Sequence, residues 1–346
     1  MQQFKPASTS VDEAPDAWKV VLDVRDLRTA LYARKQTAFA VDGVSFTLRE
    51  GETLGIVGES GSGKTMTARS LMMLPPEPAA EIVGGEILLD GEDILKLSKS
   101  DRRHIRGRKI AIILQDPQTS LNPVFTIGNQ LGEVIKSREG EQLTKEEVTL
   151  RAVKILRRMG VAAAERRVDD FPHQMSGGMK QRVVGGIAIE SVPRVLIADE
   201  PTTALDVTIQ AQYLRLLKEI QKDTGVSIIF ITHDLGIVAQ LCDRVAVMYG
   251  GRIVEQGTTR QIFKQPSHPY TEALLNSIPR VERKVDRLYA IEGQPPSMFA
   301  LPPGCHFEPR CPYAEDKCRE SYPPSFHSET GHVAACWRLQ EQWSTQ

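Results

Sequence analysis

Apolar positions fall into short runs along much of the chain. Residues 19–24 form one run, and residues 40–48 carry Val41, Val44, Phe46 and Leu48 at strand-compatible spacing. Residues 53–57 make a third, bounded by Gly51 and Gly58, and residues 84–89 a fourth, closed by an Asp90-Gly91 turn. Residues 110–114, 195–198, 228–231 and 244–248 are compact apolar runs of the length of buried strands. Between residues 141 and 170 the pattern changes. There Val148, Leu150, Val153, Ile155 and Leu156 alternate with Lys145, Glu146, Glu147, Arg151, Arg157, Arg158 and Glu165, a helical spacing. Helices are also predicted over 66–73 and 179–190. Strands interleaved with helices predict an α/β fold with a mainly parallel sheet, into which the helical stretch is inserted. Residues 1–16 read as a flexible polar tail. Beyond Pro266 the chain turns rich in Pro, Cys and His, which marks a separate C-terminal extension.

Composition narrows the functional classes. Lys plus Arg is 43 and Asp plus Glu is 44, a formal net charge of −1 over 346 residues. That balance argues against a protein held to nucleic acid by bulk positive charge. Hydrophobic residues are 41% and charged residues 25%, an ordinary globular mix that excludes charge-rich disorder for most of the chain. No apolar run approaches the roughly 18 residues of a membrane-spanning helix. The first 16 residues lack the basic and apolar regions of a signal peptide, so a cytoplasmic location is expected.

Gly58, Glu59, Ser60, Gly61, Ser62, Gly63, Lys64 and Thr65 fit the pattern G-x-x-x-x-G-K-[ST], with a strand before and a helix after. Glycines let the backbone curl until its N–H groups converge on phosphate oxygens, and the helix N-terminus adds favourable partial charge. Lys64 then reaches the β- and γ-phosphates, and the Thr65 hydroxyl binds Mg²⁺. A second apolar strand, residues 195–198, ends in Asp199 and Glu200. Asp199 suits the Mg²⁺ shell. Glu200 suits a general base toward attacking water, a role that contributes about 10²–10⁴ in rate. Gln115 and His233 follow two other strands. The neutral Gln115 amide fits a contact to Mg²⁺ or water, and the His233 imidazole a hydrogen bond to the γ-phosphate. Ser176, Gly177 and Gly178 open another helix and form a second phosphate-binding helix start. One nucleotide has no evident need of two such loops. Both are used in a head-to-tail dimer that sandwiches ATP between the P-loop of one subunit and the Ser-Gly-Gly of the other.

These motifs, with Ala204-Leu-Asp206, stand in the order found in ATP-binding-cassette (ABC) ATPases, over about residues 19–260. Narrower stretches are Gln115-Asp-Pro-Gln-Thr-Ser-Leu-Asn-Pro123, Phe171-Pro-His-Gln-Met-Ser-Gly-Gly-Met-Lys-Gln-Arg182, Ala198-Asp-Glu-Pro-Thr-Thr-Ala-Leu-Asp-Val-Thr208 and His268-Pro-Tyr-Thr271. With the cysteine-bearing tail they resemble the ATPase subunits of bacterial dipeptide, oligopeptide and nickel importers. The resemblance implies a RecA-like P-loop core over 17–265, a helical subdomain inserted at about 116–190, an antiparallel β region, and a Cys-rich extension over 266–346. It implies ATP binding by residues 58–65, and makes Gln115 the Q-loop, residues 176–178 the signature, Asp199 the Walker B carboxylate, Glu200 the base, Asp206 the D-loop and His233 the switch. It also calls for an aromatic stacked on adenine, Tyr32 by preference over Phe39. The implied partners are a second ATPase subunit (a heterodimer rather than a homodimer), two membrane permease subunits that seat coupling helices on the helical insert, and an extracytoplasmic solute-binding protein. The implied site of action is the cytoplasmic face of the inner membrane, with no nucleic acid. A soluble ABC ATPase acting on nucleic acid or ribosomes is the alternative. Two departures stand out: Met175 and Met179 flank the signature where Leu and Gln are usual, and Gly185-Gly186 sits inside the following helix. Glycines there cost about 1 kcal/mol each relative to alanine and predict a weakened helix.

Cys305, Cys311, Cys318 and Cys336 are spaced C-x5-C-x6-C-x17-C. In a reducing cytosol such a cluster points to a metal site rather than disulfides. Four thiolates suit either Zn²⁺ or an iron–sulfur cluster, and ligand count does not separate them. The resemblance favours a 4Fe–4S cluster, with Zn²⁺ or no metal as the alternatives, and a Pro-rich tail too short for its own core suits a structural role. Cys242, alone in an apolar stretch, is expected to be a core thiol.

Overall fold

The computed structural model describes residues 19–33, 36–139, 143–203, 205–278 and 290–345. The tail predicted over 1–16, and Ala204, lie outside them. β1 (Val20–Ala33) and β2 (Gln36–Arg49) are followed by β3 (Thr53–Val57), α1 (Lys64–Leu71), β4 (Ala80–Leu89), β5 (Glu92–Asp93) and α2 (Lys99–Ile105). β6 (Ile110–Ile113) leads into α3 (Pro117–Ser120), α4 (Ile127–Glu139), α5 (Lys145–Arg158), α6 (Ala164–Arg167) and α7 (Gly177–Ile189). Then come β7 (Val195–Asp199), α8 (Val207–Thr224), β8 (Ser227–Thr232), α9 (Leu235–Leu241), β9 (Arg244–Tyr249), β10 (Arg252–Thr258), α10 (Thr259–Lys264) and α11 (Pro269–Asn276). Beyond residue 290 the regular elements are short: α12 (Asp316–Glu320), β11 (Phe326–His327), β12 (Val333–Ala334) and β13 (Ser344–Thr345).

Two sheets organise these elements. An antiparallel sheet runs in the order β2-β1-β4-β5, and a mixed sheet in the order β13-β11-β12-β10-β9-β3-β8-β7-β6. Its parallel part, β9-β3-β8-β7-β6, holds the buried runs predicted from the pattern. Every residue of β3, β7 and β8 is buried. Each such Val, Leu, Ile or Phe contributes roughly 1.5–3 kcal/mol relative to exposure, so the polar residues at the strand ends are carried on the stiffest part of the molecule.

β1 is longer than the run at 19–24 predicts. It continues to Ala33 because register shifts around Leu27 and Thr29, with Asp26 at φ 45°, let pairing to β2 and β4 resume after the alternation breaks. α5 begins at a capping box, Thr144 with Glu147, as its helical pattern requires. α7 is continuous across Gly185 and Gly186. A Cβ at Gly185 would lie 2.7 Å from Met159 Cε and 2.8 Å from Tyr213 Oη, and one at Gly186 would lie 2.8 Å from Ile155 Cγ2. The glycines therefore let α7 press against α5 and α8, and tertiary packing offsets their low helix propensity. Cys242 is buried, as expected of a core thiol, with its sulfur against Gly55.

Candidate active site

The P-loop leaves the end of β3 and turns into α1. Gly58 has φ 155°, and a side chain there would collide with the Met248 carbonyl; Gly63 has φ 106°, and a side chain there would collide with the Ala40 carbonyl. Only glycine satisfies both, which is why the loop can close so tightly. Lys64 is buried and its ammonium lies across the loop, donating to the carbonyls of Gly58 (2.7 Å) and Glu59 (2.8 Å). Burial pulls this ammonium below the ordinary lysine range, while the Glu200, Asp199 and Glu59 carboxylates oppose the shift.

Thr65, on the first turn of α1, donates its hydroxyl to Asp199 Oδ1 at 3.3 Å. Asp199 ends β7 and is buried. Burial raises its carboxyl above the usual range, countered by the Thr65 hydrogen bond. A hydroxyl and a carboxylate oxygen side by side are hard donors that fit Mg²⁺. Glu200 follows with φ 47°, a left-handed conformation that costs a non-glycine residue about 1–3 kcal/mol. Its N–H donates to the Ile231 carbonyl of β8 at 2.9 Å, which locks the turn. Its carboxylate then collects side chains from separate segments. Gln115 Nε2 donates to Oε2 at 3.0 Å, Thr203 Oγ1 donates to the same oxygen at 3.0 Å, and His233 Nδ1 lies 3.3 Å from Oε1.

Glu59, Ser60, Gly61, Gly63, Lys64, Thr65, Gln115, Glu200 and His233 thus line one cavity of about 950 Å³. Ser62 and Asp199 lie behind that wall. Ser176 and Gly177 are exposed and are not among the residues lining that cavity; the Ser176 hydroxyl caps α7 by accepting from the Met179 N–H at 3.3 Å. Asp206 caps α8 through the N–H groups of Thr208 (3.1 Å) and Ile209 (3.0 Å). Tyr32 is exposed and donates to Glu81 Oε2 at 3.3 Å, and Phe39 is exposed as well; the cavity wall on that side is Leu31 and Ala40.

Comparison with known proteins bears on this geometry. Residues 41–203 match the ABC transporter family, and residues 254–318 match the oligopeptide/dipeptide transporter C-terminal region. The probable peptide ABC transporter ATP-binding protein y4tR of Sinorhizobium fredii is 48% identical, over 93% of this chain and 96% of that protein. The dipeptide transport ATP-binding protein DppD of Bacillus subtilis is 48% identical, over 93% of this chain and 95% of its own. The chain belongs to the family of peptide-transport ABC ATP-binding proteins. Members of this family are the ATP-hydrolysing subunits of ABC transporters for peptides, and an ATPase acting on nucleic acid or ribosomes is not favoured. Among solved structures, an ATP-binding cassette captured as a dimer in a post-hydrolysis state with ADP and Pi superimposes with a TM-score of 0.62. It is 25% identical and covers 69% of this chain and 99% of that one. The ABC ATPase cassette, with its antiparallel and parallel sheets, is therefore the fold.

Beyond residue 300, Cys305, Cys311, Cys318 and Cys336 are free thiols lining one small cavity of about 20 Å³. Burial pushes the Cys305 thiol up to about 12 and the Cys336 thiol up to about 11. The donor set suits a soft metal. No group of three or more His, Cys, Asp or Glu among the described residues is arranged to hold a metal ion.

Several residues of the site have no signal in the sequence. Tyr270 Oη accepts the Glu59 N–H at 2.8 Å, Arg310 pairs with the Glu59 carboxylate, and Pro295 and Met298 line the same cavity. His268-Pro-Tyr-Thr271 was legible only as a family-like string, and nothing in its spacing points at the P-loop.

Proposed function

We propose that this subunit hydrolyses ATP in a head-to-tail dimer. In that reading, residues 58–65 and Gln115 of one subunit enclose the triphosphate with the Ser-Gly-Gly of the other, Ser176, Gly177 and Gly178 serve the partner's nucleotide in turn, and Tyr32 stacks on adenine. Thr65, Asp199 and Gln115 hold Mg²⁺, which when bound neutralises charge on the phosphates. Glu200 takes a proton from the attacking water, whose oxygen forms the new bond to the γ-phosphorus while ADP leaves. His233 orients the γ-phosphate, and Asp206 acts at the dimer seam. The single observation that carries the reading is the convergence of Gln115, Thr203 and His233 on the Glu200 carboxylate beside the Thr65–Asp199 pair. The dimeric state of the similar solved cassette supports the sandwich. Glu200→Gln, an isosteric change, is expected to keep ATP binding, to slow hydrolysis by about 10²–10⁴ and to accumulate the closed dimer on sizing chromatography with ATP. Turnover at the wild-type rate would remove Glu200 as the base.

We infer that the dimer drives two membrane permease subunits docked on the helical insert at about 116–190, with an extracytoplasmic solute-binding protein delivering the peptide. A second, different ATPase subunit is favoured over a second copy. No helix among the described residues is long and apolar enough to cross a membrane, and the names of the relatives are those of transport and import proteins. The relatives' names support a peripheral place on the cytoplasmic face of the inner membrane. The core assignment 17–265 and the extension 266–346, with a 4Fe–4S cluster or Zn²⁺ on its four cysteines, belong to the same proposal. That the four cysteines line one cavity supports a soft metal there. Anaerobically purified protein is expected to contain iron and acid-labile sulfide; zinc alone would replace the cluster with an ion.

A further inference from the structure

Arg310 is a buried cation far along the chain from the P-loop, yet it is bonded to it. Its side chain is 3% exposed. Its guanidinium forks onto both oxygens of Glu59, with Nη1 to Oε2 at 2.6 Å and Nη2 to Oε1 at 3.1 Å. Nη1 also donates to Tyr249 Oη at 3.3 Å. The remaining donors turn the other way. Nε donates to the Glu292 carbonyl at 3.0 Å and Nη2 reaches the Ile291 carbonyl at 3.5 Å. One planar, permanently charged group therefore ties the second residue of the P-loop to the backbone of residues 291–292. Gly293, at φ 75°, turns the chain against the aliphatic part of Arg310.

From that anchor, the chain through residues 293–300 places two side chains on the cavity of the P-loop. Pro295 and Met298 line it together with Lys64, Thr65 and Glu200. A short turn, Met298–Ala300, is capped by the Ser297 hydroxyl, which accepts the Phe299 N–H at 3.3 Å and holds Met298 in place. The cavity lining is chemically mixed. Its lysine, hydroxyl and carboxylates suit phosphate and Mg²⁺. Leu31, Ala40, Pro295 and Met298 contribute uncharged, apolar surface that offers nothing to a phosphate. A methionine thioether is polarizable and packs well on an aromatic ring.

We propose that Met298, with Pro295, contacts the nucleoside end of ATP, and that Arg310 is the positioning residue that fastens this segment to the P-loop. This rests on residues 58–65 being the phosphate site. The test measures binding of two probes to the full-length protein, the non-hydrolysable analogue AMP-PNP and inorganic tripolyphosphate. Met298→Ser is expected to weaken AMP-PNP about fivefold, the effect of stripping part of a methionine's apolar surface from a contact, and to leave tripolyphosphate unchanged. Arg310→Lys keeps a charge against Glu59 but loses the fork to the two carbonyls. It is expected to weaken AMP-PNP to a similar degree with tripolyphosphate retained, and the double variant is expected to be no worse than either single one. Undiminished AMP-PNP affinity in Met298→Ser, an equal loss of both probes in that variant, or full AMP-PNP affinity in Arg310→Lys would each overturn the proposal. Failure of the phosphate-site reading has a different signature: Lys64→Ala would then bind tripolyphosphate as tightly as the wild type.

Discussion

The Glu200 carboxylate and the four-cysteine cavity gather comparable numbers of side chains, but on different supports. Gln115, Glu200 and His233 follow β6, β7 and β8, three neighbouring parallel strands whose residues are almost all buried. Parallel strands end at one edge of the sheet, so groups placed just beyond them meet there. Cys305, Cys311, Cys318 and Cys336 instead meet across turns and a single five-residue helix, α12. That region is kept in place by a few bonds, such as the Cys305 N–H to the Cys318 carbonyl at 2.8 Å, and by β12 docking on β10. A buried His332–Glu255 pair at 2.7 Å adds a clamp. The first cluster inherits its geometry from the core. The second acquires it from anchoring.

This difference is open to direct attack. The largest effect is expected from Lys64→Ala, which should abolish measurable ATP binding while leaving the far-ultraviolet circular dichroism and melting temperature near wild type, because the sheet holds the loop without the lysine. A collapse of the fold would mean that the loop supports the sheet and not the reverse. Gly186→Leu should come next. It forces side-chain atoms into Ile155 and Met159, and overpacking of this kind costs roughly 1–3 kcal/mol; chemical denaturation reads it, and an unchanged midpoint would deny the tight α5–α7 approach. The smallest effect is expected from Cys336→Ser, which should lower stability by about 1 kcal/mol and remove any bound metal, with ATP affinity unaltered. A large loss of ATP affinity there would show that the cysteine region and the nucleotide site act as one unit.

Much of the site was legible because its chemistry rides on local patterns. The glycine spacing from 58 to 63, the apolar run ending in Asp199 and Glu200, and single polar residues after residues 110–114 and 228–231 each have a mechanical reason to occur where they do. The two glycines of α7 misled, since intrinsic propensity describes an isolated helix and their use is to admit a neighbour. The apolar part of the cavity lining was illegible. Leu31, Ala40, Pro295 and Met298 are ordinary apolar residues whose meeting depends on how a distant segment crosses the cavity. Arg310 lies 251 positions from Glu59, and nothing around either residue announces the other.

The amino-acid sequence by itself determined which strands are buried, where the phosphate loop must turn, and which carboxylates, amide and imidazole stand at strand ends, because periodicity and glycine placement act over a few residues. Only the tertiary structure decided that the amide and imidazole converge on Glu200 rather than Asp199, that α7 needs its glycines, and that a segment near residue 298 joins the lining of the P-loop cavity. Those outcomes are set by distances between segments far apart in the chain, and such distances follow from how the sheets and helices pack, which no local pattern encodes.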